Sequence, residues 1–217
     1  MKLSEILRNE AAPIWDSYLV HPFITGIADG TLPIEKFRYY LIQDYLYLFD
    51  YSRVFALGVV KAPGADMMRF FADFMYSTLN GEMDIHKSYM ARLGITQEEA
   101  DGTKMALTNL SYTHYMLAVG QNEGIAELLI SILSCAWSYE HIGKHLAAVP
   151  GALENEFYGE WIAGYSSDEY AAGNRRLIAM TDALGEGADT ERLKEIFVNC
   201  SRYEAMFWDM AYNMGDR

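Results

Sequence analysis

Long apolar-periodic segments punctuated by proline constrain this chain more than any other feature. Pro22, Pro33, Pro63 and Pro150 fall between such segments, where a proline bounds a helix without removing an interior hydrogen bond. Thr31, with Pro33 two residues on and Glu35 nearby, has the form of a helix start and predicts a helix over about 33–60. Asp66 is expected to cap the next helix, which runs to about residue 93 before Gly94. Thr96 and Glu99 have capping-box spacing and predict a short helix ending by Gly102. Further helices are expected near 109–119, 124–148, 154–163, 167–184 and 189–213. Within one of them Ile125, Leu128, Leu129, Ile132, Leu133, Ala136 and Tyr139 follow the spacing of a helix face. No segment alternates with period two for long enough to make a strand. The expected fold class is all-α, a helical bundle formed by one domain over 1–217, without linker, low-complexity tract or internal repeat.

A chain of 217 residues can bury roughly 70% of the surface its unfolded form exposes, so no disulfide or metal staple is required. Three expected segments, 37–60, 67–93 and 124–146, are rich in aromatic residues and Met on more than one side. Such helices lie in the middle of a bundle or at a subunit interface. Core packing is the default role of any single aromatic there. With 16 Tyr in the chain, however, some hydroxyls are expected to face a polar cavity, because an unpaired buried hydroxyl is unfavourable.

Charge narrows the partners. Seventeen Lys and Arg against 30 Asp and Glu leave a net charge of −13, which repels phosphate backbones and anionic lipid. The densest basic run is only Arg175-Arg176, so nucleic acid is not an expected partner. Charged residues stand near the N-terminus where a signal peptide would be apolar. The most apolar stretch, 124–139, carries Glu127 and is too short to span a bilayer comfortably, so no membrane association is expected. Cys135 and Cys200 are far apart with no C-x-x-C, as in reduced thiols of a cytoplasmic protein.

Three residues stand out chemically. Cys135 falls in mid-helix with Tyr139 four residues on, on the same face. It reads either as a buried, inert core residue or, given a pocket that favours the thiolate, as a nucleophile. Asp44 lies among aromatic residues and shares a stripe with Tyr47 and Tyr51 at i+3 and i+7. A buried carboxylate needs a hydrogen-bonding partner, which is either a side chain on another helix or a ligand amine or ring nitrogen. Glu204, with Trp208 four residues on, is either an acid/base group in a pocket or an exposed residue on the polar face of the last helix. Glu82 with His86, and His141 with His145, have i, i+4 spacing that could present metal ligands, but there is no Glu-x-x-His and the carboxylate set is incomplete. No metal is expected. Phosphate loops, a serine nucleophile elbow and zinc-ribbon spacings are absent from the sequence.

In order along the chain stand His21-Pro22-Phe23 with Gly26, Asp29-Gly30-Thr31-Leu32-Pro33, and Phe37-x-Tyr39-Tyr40-x-x-Gln43-Asp44. After them come Ser111-Tyr112-Thr113, Cys135-Ala136-Trp137-Ser138-Tyr139, Trp161-Ile162-x-x-Tyr165, and Tyr203-Glu204-x-x-Phe207-Trp208. Together these segments resemble the TenA family, the thiaminase II enzymes, over nearly the whole chain. The resemblance implies a heme-oxygenase-like all-α fold and a homotetramer. It also implies hydrolysis of 4-amino-5-aminomethyl-2-methylpyrimidine, and of thiamine, to the hydroxymethyl pyrimidine in thiamine salvage. By the same resemblance Cys135 is the nucleophile, Glu204 the catalytic acid and Asp44 the pyrimidine-binding acid. Tyr47, Tyr51, Tyr112, Tyr139 and Tyr165 line the site, and no cofactor is needed. Three rivals accompany that expectation: a regulator, a non-catalytic pyrimidine-binding protein, and a metal or haem oxidase on the same fold.

Overall fold

The computed structural model of the protein describes residues 1–216, and among them every regular element is helical. In chain order these are α1 (Leu3–Leu19), α2 (Pro22–Ala28), α3 (Ile34–Lys61), α4 (Ala65–Ser77), a π turn (Thr78–Glu82) and α5 (Met83–Arg92). They continue as α6 (Gln97–Gly102), α7 (Leu107–Asn122), α8 (Ile125–Ala147), α9 (Gly159–Ser166), α10 (Asp168–Leu184) and α11 (Thr190–Asn213). The chain packs as two compact units, Met1–Pro33 with Leu129–Asp209, and Ile34–Leu128 with the residues from Met210 on.

The first unit contains two helices that precede the first one expected. On α1, Leu7, Ala11, Trp15 and Tyr18 form one fully buried stripe. Pro13 lies inside this helix on its exposed side, where the carbonyl that loses its partner faces water. Ser201 of α11 ties three helices together. Its hydroxyl accepts from the Trp15 indole at 3.0 Å and bonds the Ser134 hydroxyl of α8 at 3.0 Å, while its carbonyl accepts from Tyr18 at 2.5 Å. His21 caps α2, accepting from the Phe23 amide at 3.1 Å, with Pro22 in the first turn. Thr31 does not cap a helix: its amide and hydroxyl both donate to Asp29, at 3.0 and 2.5 Å, and Gly30 takes the positive φ of 75° that this turn requires. α9 begins five residues later than expected, because the Asn155 side chain accepts from the Phe157 and Tyr158 amides and holds that segment as a turn.

In the second unit α3 is 28 residues long and buries side chains on several faces, as expected for a central helix. Gln43 fixes the chain entering α7. Its amide donates to the Lys104 carbonyl at 3.0 Å and accepts from the Ala106 amide at 2.9 Å, while Asn109 donates to the Gln43 carbonyl at 2.7 Å. The single helix expected over 66–93 is instead two, with Thr78–Glu82 wound as a π turn between them. One residue added to a turn rotates the following face by about 100° relative to an uninterrupted α-helix. Asp66 is in the first turn of α4 and not at its cap, which is Gly64. α6 matches expectation: Thr96 accepts from the Glu99 amide at 3.1 Å.

Helices α8 and α9 approach closely at Gly143. A Cβ there would lie 2.6 Å from the Tyr165 carbonyl carbon and 2.9 Å from the Ser166 nitrogen, both backbone atoms that cannot move alone. Gly143→Ala should therefore destabilise the protein by about 1–3 kcal/mol. Gly164→Ala, in α9 with open space around the added methyl, should instead stabilise it by up to about 1 kcal/mol. Urea denaturation of the two variants checks both signs.

Candidate active site

The sequence-predicted residues fall into two groups, one in each unit. In the first unit Cys135 and Tyr139 lie on one face of α8 and are 8% and 4% exposed. The Tyr139 ring meets that of Tyr165 at 4.8 Å and that of Trp208 at 5.3 Å, and Trp161 meets Tyr165 edge-on at 4.8 Å. Tyr165 can reach this position because Gly143 lets the backbone of α9 come down onto α8. Glu204 is 2% exposed, which removes the reading of an exposed polar-face residue. It follows Ser201 by three residues, and Ser134 precedes Cys135, so the Ser134–Ser201 hydrogen bond draws the flanks of Cys135 and Glu204 together. The Tyr18 phenol feels both groups. Burial pushes its phenol well up, the Glu204 carboxylate adds to the rise, and Cys135 and Cys200 contribute smaller pulls.

Two further features frame Cys135. Asn174 of α10 donates to the Ala136 carbonyl at 3.0 Å and to the Glu140 carboxylate at 2.8 Å, clamping the turn after Cys135. Glu140 also pairs with Lys144, so this second acid of α8 is committed to structure. Cys200 is wholly buried, and burial followed by the Glu204 charge pushes its thiol well up, which leaves it inert as a nucleophile.

In the second unit Asp44 is 4% exposed and has protein partners. Its Oδ2 accepts from the Tyr40 hydroxyl at 3.1 Å and from His86 Nε2 at 2.5 Å. His86 Nδ1 donates to the Glu82 carbonyl at 2.9 Å, so the Glu82–His86 pair is joined through backbone and not as two side-chain ligands. Burial alone would lower the His86 pKa, but Asp44 and then Glu82 outweigh it and push the imidazole up to about 9. Tyr47 and Tyr51 stack at 5.3 Å on the same helix face, and Tyr112 of α7 meets Tyr47 at 5.4 Å. The Tyr47 hydroxyl points to the Met116 sulfur at 3.7 Å. Among the described residues no three His, Cys, Asp or Glu gather as a metal site, and no helix is long and apolar enough to cross a membrane.

Sequence reasoning missed His86 as the partner of Asp44. The two are 42 residues apart, on helices whose relative phase depends on an unforeseen π turn. Tyr40, four residues before Asp44, carried the signal of local helical spacing. Tyr18 carried none.

The fold and these groups define an all-α protein of the TenA type. The chain belongs to the TENA/THI-4/PQQC family, whose sequence profile matches residues 8–214. It is 47% identical over 215 residues to the aminopyrimidine aminohydrolase of Helicobacter pylori, covering 98% of this chain and 99% of that protein. The protein of the same name from Halalkalibacterium halodurans is 44% identical over 216 residues, covering 98% and 96%. Among solved structures, the TenA homologue from P. horikoshii OT3 superposes with a TM-score of 0.93 at 31% identity, over 99% of this chain and 100% of that one. A domain with a heme oxygenase-like fold from Shewanella denitrificans OS217 matches with a TM-score of 0.78 at 17% identity over 99% and 93% of the two chains, a likeness of fold alone.

The raised His86 pKa has a consequence for stability. A group protonated more readily in the folded state stabilises that state fully below its unfolded pKa, near 6.5, and loses the effect as pH rises through about 9. The wild-type advantage over His86→Gln in urea denaturation should therefore decline between about pH 6.5 and 9, by up to about 3 kcal/mol. A constant difference across that window would show that His86 is not held as a cation.

Proposed function

We propose that the chain is an aminopyrimidine aminohydrolase of the thiaminase II type. It converts 4-amino-5-aminomethyl-2-methylpyrimidine, and thiamine, to the hydroxymethyl pyrimidine in thiamine salvage. The observation that carries the reading is identity of 47% along 98% of the chain with a protein of that name. The burial of Cys135 and Glu204, on helices joined by the Ser134–Ser201 hydrogen bond, supports it.

In this mechanism the Cys135 thiolate adds to the ring carbon next to the branched position. The ring double bond shifts toward the exocyclic methylene and expels the amine, or the thiazole of thiamine, with Glu204 delivering the proton. Water then adds to the methylene, Glu204 takes up its proton, and the electron pair returns to the ring as the thiolate leaves. The net reaction exchanges the amine for a hydroxyl. Asp44 binds the ring through its amino group, and the flat faces of Tyr47, Tyr51, Tyr112, Tyr139 and Tyr165 line the site. The chemistry draws on side chains alone, and a thiol nucleophile suits the reducing cytoplasm.

Residues 1–217 act as one TenA-type domain, assembled as a homotetramer. Support for assembly comes from α4, which buries only Phe70 and Phe71, while Met68, Tyr76 and, beyond the π turn, Ile85 are 42%, 67% and 49% exposed.

Cys135→Ser should abolish turnover while folding and product binding persist, because a hydroxyl is a far weaker nucleophile of similar volume. Cys200→Ser should be nearly silent. Turnover near the wild-type rate in Cys135→Ser would eliminate the thiol mechanism. Calorimetry on Asp44→Asn should show product binding weakened by about 1.5–3 kcal/mol, the scale of a charge-assisted hydrogen bond. Sedimentation at micromolar concentration should give four chains per particle. A fully active monomer would contradict the assembly.

A further inference from the structure

Asp44 presents its two oxygens unequally. Tyr40 and His86 both donate to Oδ2, the latter at 2.5 Å, and a carboxylate oxygen has two lone pairs to offer. Oδ1 is therefore the acceptor left for a ligand. A paired contact through both oxygens, the natural expectation for a carboxylate meeting an aminopyrimidine, would have to displace one of these donors. His86 is itself held from behind. Its Nδ1 hydrogen is engaged by the Glu82 carbonyl at 2.9 Å, which fixes both the ring plane and the nitrogen that faces Asp44. Glu82 closes the π turn, so the one irregularity in this run of helix is what aims the imidazole at α3.

We propose that His86 is a positioning residue. It locks the Asp44 side chain in one orientation and leaves a single anionic oxygen to accept one N–H, the exocyclic amino group of the pyrimidine. This rests on the function proposed above and names a residue and a contact that give that function its selectivity.

Within the second unit, α5 packs against α3 and the π turn. They contribute Asp44, with the Tyr40 phenol beside it, and Glu82. On α5 itself Asp84 and Lys87 pair with each other at 3.6 Å at the surface, and Arg92 lies over the Tyr89 ring. The Asp44 carboxylate holds Nε2–H more tightly than the neutral Glu82 carbonyl holds Nδ1–H, so the proton lost at high pH leaves Nδ1. A lone pair then faces the Glu82 carbonyl, the bond that aims the ring is lost, and the lock loosens.

Three readouts test this. In the wild type, nitrogen-15 NMR should show His86 with both ring nitrogens protonated at about pH 7.5 and titrating near 9, and Asp44→Asn should bring that titration down toward the ordinary value near 6.5. In steady-state kinetics His86→Leu should raise KM by about tenfold or more and lower kcat by less, while His86→Gln, whose amide can still donate to Oδ2, should recover most of the KM but not its alkaline rise. The preference for the hydroxymethyl product over its analogue lacking the ring amino group should shrink by about tenfold in His86→Leu. If the wild type neither binds nor hydrolyses the aminopyrimidine, the functional reading falls, and the NMR titration still decides whether His86 locks Asp44. A His86 titrating near 6.5, or an unchanged amino preference in both variants, would overturn the proposal.

Discussion

A carboxylate buried among aromatic rings is the constraint on which the second unit turns. Asp44 cannot be left unpaired at 4% exposure, and a partner that is both a donor and a cation offsets the cost of burying its charge. His86 meets that need only from a particular angle, and the π turn at Thr78–Glu82 supplies the angle. The chain spends regular helix geometry there. What results is a carboxylate on the same helix as the stacked rings of Tyr47 and Tyr51.

The first unit solves a different problem, that of holding a thiol and an acid on separate helices in a fixed relation. Ser201 does this through short polar contacts to α1 and α8, buried where a hydrogen bond left unmade would be costly. Gly143 does it through the absence of a side chain, which lets Tyr165 close over Tyr139. Neither residue belongs to the proposed chemistry: Ser201 ties helices together, and Gly143 lets two rings meet.

Helix content was legible wherever the apolar period ran unbroken, as in α8, α10 and α11. It failed where a local rule was broken for a tertiary reason. Pro13 interrupts the pattern of α1, but its missing hydrogen bond falls on the solvent side and the buried stripe of Leu7, Ala11, Trp15 and Tyr18 holds the helix. The Asn155 side chain captured two amides that an extended α9 would have used. For the site, local spacing revealed the stripe of Asp44, Tyr47 and Tyr51 and the pairing of Cys135 with Tyr139. The pairing of Asp44 with His86 had no such trace, because it depends on the phase of a distant helix. The roles of Cys135 and Glu204 came from the resemblance to a family, since spacing alone left each with two readings.

The proposed activity exchanges an exocyclic amine for a hydroxyl on an aminopyrimidine. Turnover of 4-amino-5-aminomethyl-2-methylpyrimidine by the purified protein in oxygen-18 water tests it most directly, with ammonia and the pyrimidine product both quantified. One ammonia per product molecule and one oxygen-18 atom in the hydroxymethyl group are expected. Recovery of the amine unchanged, with no ammonia released, would contradict that activity.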